Sequence, residues 1–514
     1  LTIESTQDPD IQEICDEEVN NLENYPSDPK VSFSYRVSIQ SADGTISNYS
    51  QTTMLSYYQS ANKNYTINFA SEEDALAAIE QYKADIMEEG DTVVEGSETI
   101  NYTLQPQAAL TIIDQSTGEV KALVGGRGDK TASKTLNRAT DTPRQPGSTF
   151  KIIAAYSAAL DAGGMTLATV QDDAPYSYST GSGKSVSNYD SRYRGFTTIR
   201  EAITNSINIV TVKTLAQIGP SLGYDYIRNY GFTTVGIDES GNETLALGGL
   251  SYGVTNLELT AAYATIANNG TYIKPKFFTR ILDHDGNVLI DNTSETHTVL
   301  KETTAWLLTD AMKDVMTQGT GTAAYFGSSM AQAGKSGTTT GNRDALFAGY
   351  TPYYTCVVWG GYDDNATQSG GQTSYPKKIW KAVMSRIHEN LEYKDFTKPD
   401  GIVTATVCRK SGKLAIAGVC DSDPRGSMVY TEYFAEGTVP TEYCDHHIVA
   451  NICSASGQLA GSYCPTDSYV SGVYIIGGTP DVTEDSPYLL TEAALANTCQ
   501  VHNAENSSLQ SGYV

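Results

Sequence analysis

The sequence contains no run of about 18 apolar residues, so no part of it is expected to cross a membrane as a helix. It carries no signal-peptide pattern, and it opens on Leu1 rather than Met, which reads as a fragment of a longer protein. Runs of Lys or Arg are missing too. Lys plus Arg number 34 against 60 Asp plus Glu, giving a net charge of −26 that makes nucleic acid and anionic lipid poor partners. Acidity alone names no substrate. Cysteine is scarce over most of the chain: of eight, Cys15 and Cys356 stand alone, while Cys408, Cys420, Cys444, Cys453, Cys464 and Cys499 crowd the last quarter. That clustering predicts a stapled C-terminal region outside a reducing cytoplasm.

What is present is an ordinary globular composition over 514 residues, 39% hydrophobic and 9% aromatic, enough for about three domains. Residues 1–30 read as an interdomain connector with one helix, marked by Ile11, Ile14, Val19 and Leu22 and started by Asp8 and Pro9. Residues 31–104 read as a small α+β accessory module. Its first strand alternates Val31, Phe33, Tyr35, Val37 and Ile39 with polar residues, Asp43-Gly44 offers a turn, and Ser71 with Asp74 caps a helix to Met87. Strands are expected to return around Thr92 to Tyr102. From 105 to 398 a hairpin (Ala109 to Asp114, Val120 to Val124) precedes helices near 148–162, 199–218, 255–269 and 303–317, strands from 331 to 363 and a helix near 377–392. Strands at both ends with helices between them predict an α+β fold with an antiparallel sheet flanked by helices. Residues 399–514 form a Cys-rich extension with an internal repeat, Cys408-Arg-Lys-Ser-Gly-Lys-Leu-Ala to Cys420 and Cys453-Ser-Ala-Ser-Gly-Gln-Leu-Ala to Cys464.

Three short strings carry chemistry. Ser148-Thr-Phe-Lys151 places a hydroxyl and an amine on one helix face, the geometry of a Ser nucleophile with a Lys base. Pro146-Gly147 breaks the chain just before it, and the apolar run after it implies burial beside the free N–H groups of a helix start. Ser206-Ile-Asn208 lies in an apolar helix, and Lys335-Ser-Gly-Thr-Thr339 opens a strand. Each string has competitors elsewhere: S-x-x-K also at Ser27, Ser60 and Ser374, S-x-N at Ser60 and Ser240, K-S-G at Lys410. The order S-x-x-K, S-x-N, K-[ST]-G, spaced by 58 and 129 residues, is what singles out one copy of each.

With those strings the chain resembles the transpeptidase portion of class A, bifunctional penicillin-binding proteins. The likeness extends to Arg144-Gln-Pro-Gly147, Ala246-Leu-Gly-Gly-Leu-Ser-Tyr-Gly-Val-Thr255, Ala261 to Asn268 and Arg343 to Pro352, covering roughly residues 105–395. Leu1 to Gln12 resembles the segment joining that family's glycosyltransferase and transpeptidase domains, which implies that a glycosyltransferase domain and a membrane anchor lie upstream. Ser336 stands where the family more often has Thr.

The resemblance implies the penicillin-binding transpeptidase and serine β-lactamase-like fold, and an extracytoplasmic D,D-transpeptidase on the outer face of the bacterial cytoplasmic membrane. Its substrates would be peptidoglycan stem peptides, a donor ending in D-Ala-D-Ala and an amine acceptor, and β-lactams would acylate it. Ser148 would be the nucleophile, and Lys151 the base that takes its proton, neutral despite a reference pKa of about 10.4 through burial and the nearby charge of Lys335. Ser206 would relay the proton to the leaving amine, and Asn208 would hold the substrate amide. Lys335 with Ser336, Thr338 and Thr339 would bind the terminal carboxylate, Gly337 would leave the strand open for substrate pairing, and the N–H groups of Ser148 and Thr338 would form the oxyanion hole. No cofactor is implied. The alternatives are a D,D-carboxypeptidase or β-lactamase-type hydrolase, or a non-catalytic β-lactam-sensing or scaffolding module. Against a class A β-lactamase, no E-x-x-x-N string follows Ser206 before Lys335; Glu201 to Asn205 precedes it and reads as a helix surface pair.

In the tail the preferred reading is disulfides, Cys408 with Cys420, Cys453 with Cys464 and Cys444 with Cys499, and no metal. The alternative is zinc, with Cys444, His447, Cys499 and His502 as ligands.

Overall fold

The computed structural model describes residues 1–130, 133–181 and 183–505. Part of the expected extension, 506–514, lies outside them.

Helix α1 (Pro9–Asn20) is capped by the Asp8 carboxylate, which accepts from the N–H groups of Asp10 and Ile11. Ile11, Cys15 and Val19 recur every four residues and pack into a core with residues of the central sheet. Leu22, expected on the same face, is exposed in the turn that follows. The accessory segment contains β1 (Lys30–Gln40), α2 (Gln51–Ala61), α3 (Glu72–Ile86) and β2 (Thr99–Gln105). In β1 the odd positions Phe33, Tyr35, Val37 and Ile39 are buried, and Ser71 caps α3 through the Asp74 N–H. Sequence reasoning missed α2, whose polar run Gln51 to Ala61 buries only Met54.

The hairpin β3 (Gln107–Asp114) and β4 (Glu119–Val124) begins the central sheet. The stretch 148–162, expected as one helix, is three: a 3₁₀ turn at Gly147–Thr149, a π-helical turn at Lys151–Tyr156 and an α-turn at Ser157–Asp161. The helix expected over 199–218 is two, α4 (Ile199–Asn205) and α5 (Asn208–Ile218), because Ser206 adopts a left-handed φ of 55°. Further on come α6 (Asn256–Ala267), α7 (Glu302–Thr317), β5 (Ala333–Thr338), β6 (Asp344–Tyr350), β7 (Thr355–Gly361) and α8 (Tyr375–Ile387).

The sheet order is β5-β6-β7-β3-β4 with antiparallel neighbours, so β5 is an edge strand. Period-two alternation splits each strand between two cores: Leu346, Ala348 and Tyr350 face the helical body with α5, α6 and α7, while Phe347 faces α1 and α8. A layer of helices therefore covers each face of an antiparallel sheet.

The tail forms two similar hairpins, β8 (Ile402–Cys408) with β9 (Val429–Ala435) and β10 (His447–Cys453) with β11 (Tyr469–Ile475). The predicted pairing of Cys444 with Cys499 is not what the fold brings together. Cys444 lies with Cys408, Cys420 and His447, and Cys499 lies with Cys453, Cys464 and His502. None of the eight cysteines is disulfide-bonded, so the expected bridges of Cys408 with Cys420 and of Cys453 with Cys464 are not formed either.

Candidate active site

Gly147 makes the turn that carries Ser148 possible. Its φ is +52°, and a Cβ there would stand 2.9 Å from the carbonyl oxygen of Thr338, so only glycine lets the turn press against β5. Two strings noted for their resemblance turn out to be hydrogen-bonded partners. Arg144 and Val254 exchange backbone bonds of 2.8 and 2.9 Å, and the Gln145 side chain spans both backbone groups of Leu250 at 2.6 and 2.9 Å. The buried Tyr263 hydroxyl donates to the Thr149 carbonyl at 2.8 Å, holding the turn from the α6 side.

Ser148 is half-buried at the start of this turn, while Lys151, one turn on, is fully buried. The Lys151 amine reaches the Ser206 carbonyl at 2.7 Å, the Ser206 hydroxyl at 3.2 Å and Asn208 Oδ1 at 2.6 Å. Lys335, also fully buried, donates to the same Ser206 hydroxyl at 2.9 Å and to the Ser336 carbonyl at 3.0 Å. One hydroxyl therefore sits between two amines. The left-handed break at Ser206 is what presents both its carbonyl and its side chain to Lys151.

Burial and then the nearby Lys335 charge hold the Lys151 amine well below the ordinary lysine range. Burial and then Lys377 push Lys335 down to about 7. Two cations this close to one hydroxyl and shielded from water repel strongly, so the pair favours a single shared positive charge.

The residues of β5 divide by face. Ala333 joins the helical core, the Lys335 amine reaches Ser206, and a Cβ at Gly337 would meet Thr149 Cγ2 at 2.8 Å. The Ser336 hydroxyl donates to Thr320 Oγ1 at 2.7 Å. Thr338 is exposed, and the Thr339 hydroxyl accepts from the Asp344 N–H at 2.9 Å, tying the β5–β6 hairpin. The structure thus brings Lys151, Ser206, Asn208 and Lys335 into one hydrogen-bonded group, with Ser148 and Thr338 on backbone segments that touch beside it. Glu201 and Asn205 stay apart from it: Glu201 completes the capping box of α4, and Asn205 bonds the Glu201 carbonyl.

Several supporting residues escaped the sequence reading. Asn188 Oδ1 accepts from the N–H groups of Asn208 and Ile209 at 3.0 and 3.2 Å, capping α5 in place of Ile207. Its amide in turn donates to both oxygens of the buried Asp173. The Asn208 amide donates to the Ser187 carbonyl at 2.6 Å, at the edge of a cleft lined by Tyr176, Ser177, Ser185 and Tyr193. Lys377 donates to the Thr320 carbonyl at 3.3 Å, behind Ser336. Asn188 and Asp173 lie in no recognisable string, and Lys377 closes the Ser374 copy of S-x-x-K, a rival of the one at Ser148.

Residues 108–385 match the family described as penicillin binding protein transpeptidase domain, and residues 398–449 match penicillin-binding protein 1A, C-terminal domain. Penicillin-binding protein 1A of Clostridium botulinum (strain Langeland) is 38% identical over 384 residues, which is 73% of this chain and 46% of that protein. The chain thus spans less than half the length of that relative. The crystal structure of penicillin-binding protein 1A from Haemophilus influenzae shares the fold, with a TM-score of 0.61 at 20% identity over 86% of this chain and 73% of that one. The PonA1 protein from Mycobacterium tuberculosis, solved in complex with penicillin V, aligns at 26% identity and a TM-score of 0.50 over 57% of this chain and 81% of that one. Since the first family match alone spans more than half of the residues, the chain belongs to the transpeptidase family of penicillin-binding proteins.

Proposed function

We propose that this chain is a serine D,D-transpeptidase that cross-links peptidoglycan stem peptides and is acylated by β-lactams, working on the outer face of the cytoplasmic membrane as part of a longer protein. The observation that carries the reading is the Ser206 hydroxyl held between two buried amines, Lys335 and Lys151, the second of them one turn along the chain from Ser148.

In the first half-reaction, Ser148 Oγ bonds to the carbonyl carbon of the penultimate D-Ala while its proton passes to the neutral Lys151 amine. The oxyanion is held by the N–H groups of Ser148 and Thr338; one such donor is worth about 3 kcal/mol of barrier. The C–N bond then breaks, and the terminal D-Ala leaves as an amine after receiving a proton from Lys151 through Ser206. Lys335, with Thr338 and the hydroxyls of Ser336 and Thr339, binds the terminal carboxylate, and Asn208 holds the substrate's peptide amide. In the second half-reaction an acceptor amine attacks the ester, loses a proton to the same base, and Ser148 regains its hydrogen. Atoms balance: one peptide bond breaks and another forms. With a β-lactam the broken amide stays tethered within the adduct, so no leaving group vacates the site.

Incubation with a D-Ala-D-Ala pentapeptide plus an amine acceptor separates the readings. The transpeptidase yields D-Ala and cross-linked product in step. Free tetrapeptide acid as the dominant product would favour a hydrolase, and acylation by penicillin with no turnover of peptide would favour a sensor.

A further inference from the structure

We infer that the C-terminal region binds two zinc ions, one at Cys408, Cys420, Cys444 and His447 and one at Cys453, Cys464, Cys499 and His502. These are the two such groups among the described residues, and in each the donor atoms all lie within 4.8 Å of one another.

The distances suit a tetrahedral ion. With Zn–S about 2.3 Å and Zn–N about 2.0–2.1 Å, tetrahedral angles separate sulfur from nitrogen by about 3.5 Å and sulfur from sulfur by about 3.8 Å. His447 Nδ1 stands 3.3 and 3.5 Å from the sulfurs of Cys408 and Cys444. His502 Nδ1 stands 3.4, 3.4 and 3.5 Å from those of Cys453, Cys464 and Cys499. The sulfurs of Cys453 and Cys499 are 3.5 Å apart, beyond bonding. Four soft or borderline donors with no open position describe a structural rather than a catalytic metal site.

The backbone builds both groups in the same way. Cys408 N donates to the Lys413 carbonyl and Gly412 N to the Cys408 carbonyl; Cys453 N donates to Gln458 and Gly457 N to Cys453, each at 2.8 Å. Gly412 and Gly457 both take positive φ, 70° and 67°, to close these turns. The third cysteines arrive by equivalent bonds, Cys444 N to the Leu414 carbonyl at 2.8 Å and Cys499 N to Leu459 at 2.7 Å. A histidine then follows each at the same spacing, Cys444-Asp-His-His447 and Cys499-Gln-Val-His502. An incidental crowding of thiols would not recur with its turns, bridges and fourth donor in register.

Groups beyond the donors also orient them. His447 Nε2 is 3.0 Å from Asp423 Oδ2, which fixes the proton on that nitrogen and leaves Nδ1 free for the metal. The Lys410 N–H points at the Cys408 sulfur at 3.4 Å. Each ion would displace three thiol protons and leave the histidine neutral. Around the first group the apolar contribution is small, Ala415, Ile416, Met428 and Val429 being only partly buried, so a metal supplies what so small a core lacks.

The test uses the whole chain purified with reductant. Elemental analysis after exhaustive buffer exchange is expected to give about two zinc per chain, with Cys444→Ser and Cys499→Ser each retaining about one. Cobalt substitution of the unaltered chain, which needs no variant to fold, should show the absorption of tetrahedral Cys₃His sites at two equivalents. Zinc content near zero with three intramolecular disulfides by mass, a single equivalent, or iron in place of zinc would each overturn the assignment.

Discussion

Around the central sheet, Lys151 and Lys335 are buried inside a continuous apolar core that includes Phe150, Ile152, Ile203 and Val210. In the C-terminal hairpins the order is reversed. There each buried centre is a group of thiols with an imidazole, and the apolar clusters beside it are small, Val407 with Phe434 in the first hairpin and Val473 with Ile475 in the second. The first region can hold polar groups in strained protonation states because the rest of its interior supports them. The second would have little interior if its polar groups were not joined. Burial of a charge-bearing cluster is thus a functional load on a stable scaffold in one region and the scaffold itself in the other.

Several substitutions sharpen that contrast. The largest effect on penicillin acylation short of losing the nucleophile is expected from Lys151→Ala, a fall of about 10²–10⁴ in the second-order rate constant read by stopped-flow or quenched labelling. Gly147→Ala should follow at about 10². A Cβ at φ +52° costs roughly 1–2 kcal/mol of backbone strain, and the push against the Thr338 carbonyl would move the proposed oxyanion donors, the N–H groups of Ser148 and Thr338, apart, where displacement by about 1 Å is enough to cost that factor.

The pH profile comes next. The folded pKa of Lys335 is depressed to about 7, so the ammonium proposed to bind the carboxylate is present below that pH and lost above it. Acylation by a carboxylate-bearing β-lactam should therefore decline above about pH 7, by up to about tenfold per unit. Lys335→Arg, whose charge persists at high pH, should flatten that limb. At the acidic end, protonation of Lys151 should lower the rate as well.

Asn188→Ala should slow acylation about tenfold by freeing the start of α5 and with it Asn208, and it should also lower thermal stability, since the buried Asp173 keeps Arg194 but loses its two bonds from the Asn188 amide. The smallest effect is expected from stripping the tail of metal. The first hairpin touches the catalytic body through Arg200 with Glu432 and Arg409 with Glu201, both on α4, the helix that ends at Ser206. A chelator should raise proteolysis within 402–449 sharply while changing the acylation rate by less than about threefold. An equal collapse of both would erase the distinction between the regions.

The order and spacing of the three strings picked out residues that the fold brings together, Lys151 from a helical turn, Ser206 and Asn208 from a break between two helices, and Lys335 from an edge strand. Their rivals show why each string alone was ambiguous. Ser374-Tyr-Pro-Lys377 supplies the lysine behind Lys335, and Lys410-Ser-Gly412 forms the first metal-binding turn. Asn188, Asp173 and Thr320 left no local signature because they meet the site only through tertiary folding. The break at Ser206 was hidden by an apolar run that reads as one continuous helix. In the tail, reading the cysteines as disulfides, two local pairs and Cys444 with Cys499 left as the third, failed. Parallel bridges from Leu414 to Tyr443 and from Leu459 to Thr498 carry each of them back to its own hairpin.

The most direct test of the catalytic reading is peptide mapping by mass spectrometry after incubation with a labelled penicillin, comparing the unaltered chain with Ser148→Ala. One adduct on the peptide containing Ser148, absent from the variant, is the predicted result. An adduct that survives in Ser148→Ala, or none on the unaltered chain, would contradict it.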